Sequence, residues 1–150
     1  MTRIATSLNL KDSIRIKSFD IAGQTLKVKV PLNKELEDMT KRIVEIPQDV
    51  IDQRLKKMTE TLTKEPVDGV EVKDDDVIIE GKSVKETVVS VVQMERRIVE
   101  YFKLLVPSEG TLDDLSYEEI EAEFPLQLQF ELVEKITEAI QPGYKDARKN

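Results

Sequence analysis

The feature that most constrains this chain is the stretch from Ser83 to Leu105, SVKETVVSVVQMERRIVEYFKLL. Ser83 and Glu86 form a capping box, a pairing that satisfies two otherwise orphaned backbone donors at a helix start. Val84, Val88, Val91, Val92, Ile98, Val99, Phe102 and Leu105 then recur at helical spacing. Lys85, Glu95, Arg96, Arg97 and Lys103 fall mostly on the other side, so the helix is amphipathic. Pro107 stops it shortly afterwards. Four valines close together are mediocre helix formers, because branching at Cβ stiffens χ1. Such a helix depends on what it packs against, which predicts a central core helix.

The flanking segments carry the same kind of signal. Ile14, Ile16, Leu26, Val28 and Val30 alternate with polar residues across IRIKSFDIAGQTLKVKV, with Gly23 between the halves. That predicts a β-hairpin with a solvated Lys27 and Lys29 face. Leu36, Met39 and Ile43 predict a helix over 34–45. Ile51, Leu55, Met58 and Leu62 predict another over about 49–63. Residues 64–82 break the pattern at Pro66, Gly69 and Gly81, and suit a short hairpin around Asp74–Asp76 in an exposed insertion. Ser116 and Glu119 cap a short helix through Tyr117, Ile120 and Phe124. Pro125 opens a last helix carrying Leu126, Phe130, Val133, Ile136 and Ile140. The expected fold class is α+β, predominantly α-helical with an N-terminal β-hairpin. Residues 1–12 are read as a flexible arm, 13–143 as a single mostly helical domain and 144–150 as a basic tail.

Composition narrows the chemistry. The chain of 150 residues has neither cysteine nor histidine, which removes nucleophilic Ser-His and Cys-His pairs, disulfides and the softer zinc sites. Its five glycines are scattered, and none forms a phosphate-binding loop. With 30 acidic residues, a pairing of carboxylates carries no information. Asp74-Asp75-Asp76 lacks the alternating ligands and glycine of a calcium loop, so a solvated charge run is expected there. No catalytic residue, cofactor or metal is expected, and the chain is not read as an enzyme. A net charge of -7 opposes nonspecific binding to nucleic acid. The lack of a long apolar run opposes membrane insertion. The positive signal is surplus amphipathicity: apolar stripes, with Met39, Met58 and Met94 on or beside them, suit either a complete core or a groove for a partner's apolar helix. The residues expected to face a partner are Phe102, Leu126, Phe130 and Val133, on the long helix and the last helix.

Two segments bring a resemblance. SFDIAGQTLKVKVPLNKELEDMTKRI resembles the N-terminal region of phage tail assembly chaperones, where a hairpin of similar pattern leads into a helix. IEAEFPLQLQFELVEKI followed by PGYKDARKN resembles the carboxyl end of the same group in long, flexible-tailed phages. Together they cover about half the chain, and residues 64–106 lie outside the resemblance. The resemblance implies a protein of the host cell cytoplasm, absent from the mature virion. It would bind the hydrophobic tape measure protein and help recruit tail tube subunits. The alternative is a structural tail completion or connector protein. A homo-oligomer is compatible with either. Chaperones of this group are often made in two lengths through a minus-one ribosomal slip. Arg148-Lys149-Asn150 is what a slippery A-AAA-AAC heptamer spells after an arginine codon ending in A. A longer product would then carry a second segment that binds tube subunits, tethered close to the client.

Overall fold

The computed structural model describes residues 4, 7, 8, 12–64, 69–72, 77–79 and 81–141. The expectations for Asp74–Asp76 and for the tail at 144–150 lie outside the described residues, as does most of the expected N-terminal arm. Residues 13–143, expected as one domain, group into two compact units. One comprises Met1–Asp38 with Ile98–Asn150, and the other Met39–Arg97.

The first unit begins with a 3-10 turn over Asp12–Arg15, which holds Ile14, and a hairpin of β1 (Ile16–Ile21) and β2 (Gln24–Lys29). Its two-residue turn places Ala22 and Gly23 at φ 50° and 77°, the double left-handed geometry that matches the strands' own twist. Pairing runs from Ile16 opposite Lys29 to Ile21 opposite Gln24. Phe19, Ile21, Leu26 and Val28 therefore share one face of the hairpin, with Ile21 and Val28 buried. Lys27 and Lys29 are exposed, as their alternation predicts.

After Pro31 the chain enters α1 (Asn33–Val44). Glu35 accepts a hydrogen bond from the Leu32 backbone N–H at 2.8 Å and pairs with Arg15, whose Nε donates to the Val30 carbonyl. Helix α3 (Val84–Phe102) stops three residues earlier than its apolar spacing predicts. Leu104 to Val106 instead lie along β2. The Lys29 N–H donates to the Leu104 carbonyl at 2.8 Å and the Val106 N–H to the Lys27 carbonyl at 2.9 Å. Those bonds satisfy the strand edge, which outweighs one further helical turn. Helices α4 (Tyr117–Glu123) and α5 (Leu126–Ile140) complete the unit, and α5 packs across both strands. Its buried apolar residues include Ile98, Phe102, Ile120, Leu132 and Ile136.

The second unit is organised on α2 (Gln48–Lys64), most of α3 and a small sheet. Ile51 and Leu55 bury against Val88 and Val92, with Ile46, Val50, Val84 and Val89 packed around them. Arg54 grips Glu95 with two parallel bonds, at 2.6 and 2.8 Å. This fork geometry suits guanidinium and carboxylate. Arg96 and Gln93 donate to the carbonyls of Arg42 and Val44, satisfying the end of α1. The sheet joins β3 (Val70–Val72), β4 (Val77–Ile79) and β5 (Lys82–Ser83), all antiparallel. The sequence predicts the first two strands. The third is too short to leave an alternating pattern, and it runs straight into α3, whose Glu86 N–H donates to the Ser83 hydroxyl. The fold is thus α+β and mostly helical, with five helices and an N-terminal antiparallel hairpin among the described residues.

Candidate functional site

The turn between α4 and α5 determines which side of α5 is presented. Ser116 caps α4 by accepting from the Glu119 N–H at 3.3 Å. Pro125 disfavours helical geometry at the residue before it, and Phe124 is extended at φ -123°, ψ 125°. Pro125 then sits at φ -63°, ready to start α5. Gln129, only 1% exposed, fixes the corner. Its amide N–H donates to the Phe124 carbonyl at 2.8 Å, and its oxygen accepts from the Tyr117 hydroxyl at 3.1 Å. Phe124 in turn meets Phe102 edge to face, with ring centroids 5.5 Å apart.

With the corner fixed, Gln129, Leu132 and Ile136 bury one side of α5. Leu126 and Phe130, one turn apart, stay 49% and 46% exposed. The same i, i+4 row continues to Glu134 and Glu138, both exposed. Of the four residues expected to face a partner, the structure therefore brings two together on a free face. Val133 is half-buried at the margin of that face. Phe102 is a correction: at 3% exposure it belongs to the core, held by Phe124. The stripe on α3 is used for packing, as its valine-rich sequence requires. Met39 is likewise buried, Met94 is half-buried and Met58 is exposed.

Sequence reasoning missed Glu134 and Glu138 as parts of this face, and Gln129 as its support. The signal for the carboxylates was present in their four-residue spacing from Phe130. The signal for Gln129 was its place at i-3 and i-7 from Leu132 and Ile136, which puts an amide on the apolar side.

Other concavities offer less. A 530 Å³ depression beside β5 and the start of α3 is lined by Lys82, Ser83, Glu86 and Thr87 among others. The Ser83 hydroxyl is occupied in capping α3, and no nucleophile paired with a base lies there. Among the described residues no group of three or more acidic side chains is placed to hold a metal ion, and no helix is long and apolar enough to cross a membrane. Comparison of the chain with protein-family models, with curated proteins and with solved structures gives no match.

Proposed function

We propose that this protein is a tail assembly chaperone of a long, flexible-tailed phage, which binds the hydrophobic tape measure protein and keeps it soluble until the tail tube forms around it. The resemblance of its two ends supplies the family. The observation that carries the binding role is the pair Leu126 and Phe130. Two large apolar side chains stand half out of the surface at adjacent turns of a helix whose other side is well packed. Surface apolar residues are common singly, but a neighbouring pair on a rigid helix suits an apolar helical client. The role is one of binding, without catalysis or cofactor, in the host cell cytoplasm. Tail tube subunits would be recruited through a longer, frameshifted product.

Co-expression with the tape measure protein, the product expected from a very long helical reading frame nearby, tests the proposal. The wild-type chain should hold that protein in the soluble fraction. Leu126→Asp with Phe130→Asp should release it to the pellet while circular dichroism and melting stay unchanged. A folded double variant that still keeps the client soluble would overturn the proposal. So would finding the protein in purified particles, which assigns it to the tail structure. The gene itself decides the two-length product: without a slippery heptamer at codons 148–150, the longer form is not made at this site.

A further inference from the structure

We infer that the row Leu126, Phe130, Glu134 and Glu138 on α5 is one continuous docking ridge for an amphipathic helix that carries lysine or arginine beyond its apolar residues. The inference rests on the client-binding reading above and specifies the chemistry of the bound segment.

Four residues spaced by four form a single ridge of the kind that fits a groove between side chains of another helix. At a rise of 1.5 Å per residue the ridge spans roughly 18 Å, about three turns of a partner. Its first half is apolar and its second half is acidic. The fold itself gains little from the acidic half. Among the described residues neither Glu134 nor Glu138 has an ion-pair partner. The last turn of α5 holds no basic residue, and a carboxylate there opposes the partial negative charge of the helix C-terminus. An apolar pair left half exposed, continued by two carboxylates that have no ion-pair partner among the described residues and the second of which works against its own helix end, is a pattern that a cationic, apolar partner completes.

The stretch of sequence that contains the ridge is acidic as well. Residues 107–141 contain ten aspartates and glutamates and one basic residue, Lys135. Ordinary acidic surfaces are repelled from such a field, and a helix bearing cations is drawn to it. Charge complementarity therefore selects one occupant: a partner helix with apolar side chains over Leu126 and Phe130, and cations one or two turns further on, over Glu134 and Glu138.

The full chain can be titrated calorimetrically with two synthetic amphipathic helices that share their leucine positions. One carries lysine and the other glutamate at the polar positions. The lysine peptide should bind and the glutamate peptide should not. Affinity should fall about tenfold with Phe130→Ser, and at least about threefold with Glu134→Gln plus Glu138→Gln. Leu126→Ser should weaken binding like Phe130→Ser. Leu32→Ser, which alters another exposed apolar residue, should leave the affinity unchanged. Rising salt should weaken the wild-type interaction more than that of the glutamine variant. Equal binding of the two peptides, no binding of either, or binding of the lysine peptide that survives both serine substitutions at the ridge would overturn the inference. If the peptides bind equally, or neither binds, while the wild-type chain still keeps the tape measure protein soluble, only the charge rule fails. Binding that survives both serine substitutions takes the site away from Leu126 and Phe130 and counts against the client-binding reading too. Loss of client binding as well removes the reading beneath it.

Discussion

Gln129 shows how a single polar side chain can position a surface it does not join. A buried amide is costly unless it is hydrogen-bonded, and this one is bonded at both ends, to the Phe124 carbonyl and the Tyr117 hydroxyl. Gln129→Ala would remove both hydrogen bonds and open a gap on the buried side of α5. The expected loss is about 2–4 kcal/mol, read from the urea midpoint. An unchanged midpoint would mean that the corner is held by Pro125 and the Phe102–Phe124 contact alone. Glu35 is a milder case. The Leu32 backbone N–H holds its carboxyl below the ordinary glutamate range. Partial burial pushes the other way, and the charge and hydrogen bond of Arg15 add to the lowering. A depressed folded-state pKa contributes stability above the unfolded value of about 4.3, and that contribution is lost as pH falls through the folded value. Because the side chain is 52% exposed, solvent screening limits it to under about 1 kcal/mol. Glu35→Gln should therefore be slightly less stable than wild type at pH 7, and the two should converge as pH falls through the depressed folded-state value of the carboxyl. A gap that is constant across the acid range would show that the carboxylate's charge is irrelevant.

Among the elements, the hairpin turn is where the chain departs from its best local choice. Ala22 occupies left-handed backbone at φ 50°, which costs an L-residue with a Cβ roughly 1 kcal/mol. Asn before Gly is the favoured pair for this turn. Ala22→Asn should raise Tm by about 2–4 °C in a chain of this length, measured by thermal circular dichroism. A lower Tm would mean that the alanine is held there by packing. The strands on either side were legible because alternation records which face is buried, and the helices because their apolar residues repeat every three or four positions. Helix ends were less legible where their partners are distant in sequence. Nothing within Lys103–Val106 announces that Leu104 and Val106 will bond to Lys29 and Lys27, so the apolar Leu105 reads as one more helical turn. The same limit applies to Phe102. Its spacing puts it on the apolar side of α3, but only the fold shows that Phe124 covers it.

At the scale of the whole chain, composition gives a net charge of -7 but not where that charge lies. Carboxylates are concentrated between residues 107 and 141, with Lys135 as the one cation there, while the rest of the chain carries most of the lysine and arginine. The apolar half of the candidate ridge was legible in Leu126 and Phe130, because two large apolar residues spaced by four can be read directly. Its acidic half was hidden by abundance: among 30 carboxylates, two more carry no signal until the fold shows which row they extend. Such clustering stores repulsion within one stretch of structure, and at Glu138 it adds to the unfavourable end of α5. If the carboxylates serve a partner, the isolated protein should be more stable without them. Glu134→Gln plus Glu138→Gln is expected to raise Tm by about 1–3 °C at low salt. The gain should shrink as added sodium chloride screens the wild-type charges. Scanning calorimetry at two salt concentrations measures both effects. A lower Tm in the variant would show that the two carboxylates hold α5 together, and the acidic half of the ridge would then be a structural feature of the helix.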